Sequence, residues 1–179
     1  MKPAPTRLAA MLLGTALALS GPLGPAMGQP GKDIPPSVNM EHESVRQYLD
    51  HIVQRTTPTG AAAQRLIVVL TEHMAAEDAF ILPPLTLLPA LASGRISPDM
   101  RWAIPMSDRV RAEHDNLLRM HNAITEATLA LQSAAEDEQD AATIGFARDL
   151  AADDLNDMEV TEPTVMLIGD VMRARLPPQ

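Results

Sequence analysis

Histidine is scarce in this chain, five in 179 residues, so the pattern around each one is informative. His73 and Glu77 stand four apart in the segment His73-Met-Ala-Ala-Glu77. In a helix, residues at i and i+4 project from one face and can reach one centre. Val69, Leu70 and Phe80 flank the pair and put it on an apolar stripe. A buried imidazole and carboxylate on such a stripe call for a metal ion or a hydrogen-bonded partner. Mutual satisfaction of His73 by a carboxylate is the simpler of those two outcomes. Pro83 comes ten residues after His73. The same plan recurs later: Asp153 and Asp157 stand four apart, and Pro163 comes ten residues after Asp153. Glu41-His42 precedes the first of these pairs and Glu113-His114 the second. Each half therefore reads Glu-His, then an i, i+4 ligand-type pair, then a proline. Duplicated helix pairs are a common way to build a metal-binding bundle, because each pair projects one ligand set into the core.

The elements that must position these residues are helices. Apolar spacings of three and four recur throughout and no strand-like alternation persists. The first helix is expected over residues 39–55, with Val45, Leu49 and Ile52 on one face. A break at 57–60 follows, with Thr59 the expected N-cap of a second helix over 61–82. Pro83-Pro84 ends or kinks it, and a proline-punctuated connection with a short helical turn near 85–92 leads to Pro105. Ser107-Asp108 is the expected cap of a third helix running to about residue 133, and the run 137–140 starts a fourth, interrupted at Pro163 and resumed over 164–176. The reading is all-α: an up-down four-helix bundle over 41–176 with a short C-terminal helical extension.

Composition agrees with that class and removes others. Four aromatics (Trp102, Tyr48, Phe80, Phe146) leave the core to Ala, Leu, Val, Ile and Met, a palette that favours helices. The same scarcity excludes stacking platforms for bases, and a net charge of −9 gives no electrostatic footprint for nucleic acid. Absence of cysteine removes disulfides, thiolate metal sites, iron–sulfur clusters and a cysteine nucleophile. At the amino terminus, Lys2 and Arg7 precede the uncharged run Leu8 to Leu19, and Ala26-Met27-Gly28 supplies a small-residue cleavage pattern. That run is shorter than the roughly 20 apolar residues a spanning helix needs. Residues 1–28 are accordingly expected to be a signal peptide and 29–40 a linker, with a periplasmic or secreted mature protein and no stable membrane insertion after cleavage.

With its H-x-x-x-E followed by a proline and a Glu-His start in both halves, the chain resembles the hemerythrin-like (HHE) family of non-haem di-iron bundles over residues 41–176. By that resemblance His42 takes the ligand slot of the first helix. His73 and Glu77 take the histidine and bridging carboxylate of the second. His114 takes a histidine slot of the third, and Asp157 the carboxylate slot of the fourth. The fourth helix carries no histidine, and Asp153 stands where the family has one. The expected metal ligands are thus His42, His73, Glu77, His114, Asp153 and Asp157. This set has fewer nitrogens and more oxygens than an oxygen carrier uses, which shifts preference towards harder ions, iron or manganese.

His121 lies seven residues beyond His114, two turns or about 10 Å along the axis, and is read as too far to share its metal. His51, nine residues from His42, faces the opposite way and is read as solvated. Met74, Met120 and Met158 beside candidate ligands would suit copper, but as core filler in an aromatic-poor chain they are more simply explained. The leading expectation is an exported hemerythrin-like metal-binding protein, with dioxygen binding or sensing as its role. Its alternatives are a di-metal oxidoreductase acting on oxygen or peroxide, and a metal-free bundle acting through protein contacts.

Overall fold

A computed structural model describes residues 33–178. The signal segment expected at 1–28 and the first residues of the expected linker lie outside them. The described residues are all-helical, without strands. In chain order they form α1 (Pro36–Ile52), α2 (Pro58–Ala76), a π-helical turn (Glu77–Ile81), α3 (Leu82–Leu85), α4 (Leu88–Ala92) and a 3-10 turn (Pro98–Trp102). They continue as α5 (Ala103–Ala112), α6 (His114–Asp137), α7 (Ala141–Asn156), a second π-helical turn (Asp157–Thr161) and α8 (Glu162–Arg175).

Several boundaries differ from the sequence expectation for local reasons. Helix α1 starts at Pro36 rather than near residue 39, because a proline is tolerated in the first helical turn. Thr57, not Thr59, caps α2, accepting the Gly60 amide with its hydroxyl. Ser107 caps nothing: it sits inside α5, buried, and donates to the Val165 carbonyl of α8. That bond marks a close crossing, where a Cβ on Gly169 would overlap the Ser107 side chain. The expected third helix is two, α5 and α6, separated at Glu113. Asp140 caps α7 by accepting the Thr143 amide.

Helix α2 packs on α1 and α6, α6 on α7, and α5 on α8. One core joins α1, α2, α6 and α7 through Leu49, Ile52, Leu66, Leu70, Ile124, Leu131 and Leu150. A second joins the first π turn, α5, α6 and α8 through Phe80, Ile81, Val110, Leu117 and Val165. Each fully buried aliphatic side chain contributes about 1.5–3 kcal/mol. Arg55 ties the far end of the first layer by a 2.5 Å ion pair to Asp140. Between the two cores lies a polar layer, and every histidine in it is on a core-facing stripe. No helix among the described residues is long and apolar enough to cross a membrane.

Candidate metal centre

Two π turns aim the acids of this layer. In an ideal helix Pro83 would stand where its missing N–H and its ring meet the carbonyl four residues earlier. The chain relieves the clash by widening just before the proline: the Leu82 amide reaches back to the Glu77 carbonyl, five residues away. The same happens before Pro163, where the Glu162 amide bonds the Asp157 carbonyl. Glu77 and Asp157 are thus each the first residue of a π turn, six before a proline.

Around them the side chains converge. Glu77 Oε2 lies 3.3 Å from His42 Nε2 and 3.5 Å from His73 Nε2. His73 is only 3% exposed, and neither of its ring nitrogens has a hydrogen-bond partner. The 3.5 Å approach to Glu77 is not a formed hydrogen bond. His42, 7% exposed, likewise leaves Nδ1 without a hydrogen bond, 3.6 Å from an Asp78 oxygen. Buried polar atoms are nearly always paired, so orphaned imidazole nitrogens signal a missing partner. His73, Glu77 and Asp157 bring ligand atoms within 4.8 Å of one another, and so do His73, His121 and Asp154. A cavity of about 160 Å³ opens beside His42, His73, Glu77 and Asp157.

On the other side of His73 the His121 ring packs edge-on, centroids 4.6 Å apart. His121 is 1% exposed and sits between two buried carboxylates, Nδ1 at 2.7 Å from Asp154 and Nε2 at 3.0 Å from Glu162. Both ring nitrogens donate to carboxylates only when the ring is an imidazolium. Burial works against that charge, but bonds first to Asp154 and then to Glu162 outweigh it and push His121 up to about 9.

Electrostatics divides the two π-turn acids. Burial acts to raise Glu77, yet the close approach of His42 and then His73 holds it down at about 2. Asp157 has no comparable donor: burial first, then the charge of Glu77, pushes it up to about 7. His42 is raised as well, since Glu77 more than offsets the effect of burial. Glu77 faces His42 and His73, Asp154 and Glu162 face His121, and Asp157 lies near Glu77, so the layer is rich in carboxyl groups in little water. Such a layer accommodates a cation. The buried His, Glu and Asp side chains could hold a metal ion.

Of the residues expected from sequence, His42, His73, Glu77 and Asp157 come together here. His114 does not: the break at Glu113 leaves it exposed as the first residue of α6. His121, read from sequence as too distant, occupies the buried position instead. The signal was present in the spacing of Leu117, His121, Ile124, Thr128 and Leu131, all buried on one face of α6. Asp153 is exposed at the cavity mouth, where its carboxyl meets that of Glu41. The inner position of α7 belongs to Asp154, one residue on, which continues the stripe of Ala147 and Leu150. His51 is exposed.

No family model matches the chain, and no curated protein or solved structure is found to match it.

Proposed function

We propose that this chain is a hemerythrin-like bundle that binds non-haem iron between its two cores and uses it to bind or sense dioxygen. The observation that carries the reading is His73: an almost fully buried imidazole with two unpartnered nitrogens, facing two carboxylates across a small cavity. The core shared by α1, α2, α6 and α7 supports a four-helix arrangement. His42, His73, Glu77 and Asp157 would hold the metal, with Glu77 placed between two histidines as a bridging carboxylate is. His121 and Asp154 border His73 on its other side, with both ring nitrogens of His121 already given to carboxylates. Mixed imidazole and carboxylate donors suit iron and manganese. Bound iron would supply an open coordination position and redox chemistry for a small ligand. The protein's own part is fixed by its residues: Glu77 stays ionised, Asp157 would release its proton to solvent as a cation takes its place, and the apolar layers on either side limit water. A cavity of about 160 Å³ leaves room for a diatomic ligand.

Metal analysis and absorption spectroscopy of the purified full chain test this. The parent should hold stoichiometric iron, His73→Ala and Glu77→Ala should lose most of it, and His51→Ala and His114→Ala should keep it. A metal-free parent after iron loading would overturn the reading. The export expectation belongs to the same proposal: secreted material should begin at or near Gln29 on N-terminal sequencing, and a membrane-bound product retaining Leu8 to Leu19 would refute it.

A further inference from the structure

Resting on that metal-binding reading, we propose that Glu41 and Asp153 form an outer cation station at the cavity mouth, through which a divalent metal reaches the inner ligands. Glu41 lies one residue before His42 on α1, and Asp153 one before Asp154 on α7. Two helices from opposite halves of the chain thus bring two exposed carboxyls together over one opening. Among the described residues the lining of this cavity includes no Lys or Arg, and the basic group beside Glu41 is His42, an inner ligand. Arg46, the nearest guanidinium on α1, is turned to Asp78, 3.9 Å away. A second observation is independent of the acids. The same cavity is lined by His73, 97% buried by its 3% exposure, with both ring nitrogens unpartnered. The opening therefore leads from paired surface carboxyls to an unsatisfied imidazole, with Asp157 and Glu77 along its wall.

Carboxylates at a mouth raise the local cation concentration and speed association by about 10- to 1,000-fold, an effect that salt screens. Oxygen ligands on an exposed rim also hold a hydrated divalent ion loosely enough to release it inward. Asp153 on this account is a transit ligand, outside the inner set to which its neighbour Asp154 belongs.

The test is stopped-flow loading of the metal-free full chain with Co²⁺, read by visible absorption at low and high ionic strength. Glu41→Gln/Asp153→Asn should load about tenfold more slowly at low salt, lose most of the salt dependence, and reach the parent's final stoichiometry and spectrum. Glu136→Gln/Asp137→Asn, the same charge change on the distant end of α6, should load like the parent. Charge reversal, Glu41→Lys/Asp153→Lys, should slow loading further. The proposal is overturned if the mouth variant loads at the parental rate, if the distant variant slows equally, or if the mouth variant loses stoichiometry, which would make these acids inner ligands. A parent that takes up no Co²⁺ and no iron refutes the metal-binding reading, and the station with it; a parent that loads normally isolates the station as the question.

Discussion

Replacing His121 by Leu should cost this protein a large part of its stability. The side chain is 1% exposed and bridges Asp154 at 2.7 Å and Glu162 at 3.0 Å, both buried. Removing the imidazolium leaves two carboxylates in a dry layer without their counter-charge, and breaking a buried ion pair from one side costs about 3–5 kcal/mol. Proton linkage gives a second, independent magnitude. An imidazole raised from 6.5 to about 9 by the fold stabilises it by about 3 kcal/mol when charged. Because folding raises this pKa, the contribution is complete below pH 6.5 and is lost as pH rises through about 9. Thermal unfolding in chelator should therefore show His121→Leu melting roughly 6–20 °C below the parent at pH 6, from about 2–4 °C per kcal/mol at this size. The parent should lose stability between pH 6.5 and 9, and the variant should lack that slope. His121→Leu with Asp154→Leu and Glu162→Leu should recover most of the loss, since an apolar triad of similar volume often equals a buried ionic one. A single variant within about 1 kcal/mol of the parent, or a triple variant no better than the single, would refute the reasoning.

Other perturbations follow from the same geometry. Asp157 sits at about 7 and His42 is raised as well, so metal affinity should fall by at least about tenfold per pH unit below 7 as protons compete for both, and calorimetric titration of Asp157→Asn should show a shallower slope. The same substitution should raise the melting temperature of the chelated protein at pH 8, because ionising this buried acid costs stability as pH climbs from 3.8 through about 7; an unchanged or lower value counts against its burial. Asp140→Ala removes the cap of α7 and the partner of Arg55 and should cost about 0.5–2 kcal/mol in urea unfolding. Gly169→Ala drives a methyl into Ser107 at the crossing of α5 and α8 and should cost about 1–3 kcal/mol, whereas Gly145→Ala, with open space around it, should not.

Helical class was legible because the 3–4 spacing that buries Leu66, Leu70 and His73 on α2 is written in local sequence. Boundaries were less so. Ser107-Asp108 has the chemistry of a cap, yet Ser107 finds its acceptor on α8, 58 residues away in sequence. No local rule reveals that contact. The prolines are more instructive: Pro83 is expected to end or kink its helix and Pro163 to interrupt one, and both helices pass through by taking one wider turn. At the site, pairing His73 with Glu77 needed only the i, i+4 rule, and the two are 3.5 Å apart. Choosing between His114 and His121 needed the position of the break at Glu113. Motif matching favoured the Glu-His dipeptide, while the apolar spacing around Leu117 and Ile124 favoured His121.

The duplicated plan also explains why the two halves contribute unequally. Each half places one acid, Glu77 or Asp157, at the start of a π turn six residues before a proline. In the first half that acid is met by two histidines, His42 and His73, which keep it ionised at about 2. In the second half the histidine of α6 is taken by Asp154 and Glu162, leaving Asp157 without a donor of that kind and raised to about 7. One half therefore offers imidazole nitrogens and a fixed negative charge, and the other offers a carboxyl that ionises near neutrality. A cation bound between them would meet Glu77 already charged and would displace the proton of Asp157 to solvent. Retention at such a centre would be coupled to pH through both halves, through the Asp157 carboxyl of the second and through His42 of the first, whose proton Glu77 helps to hold.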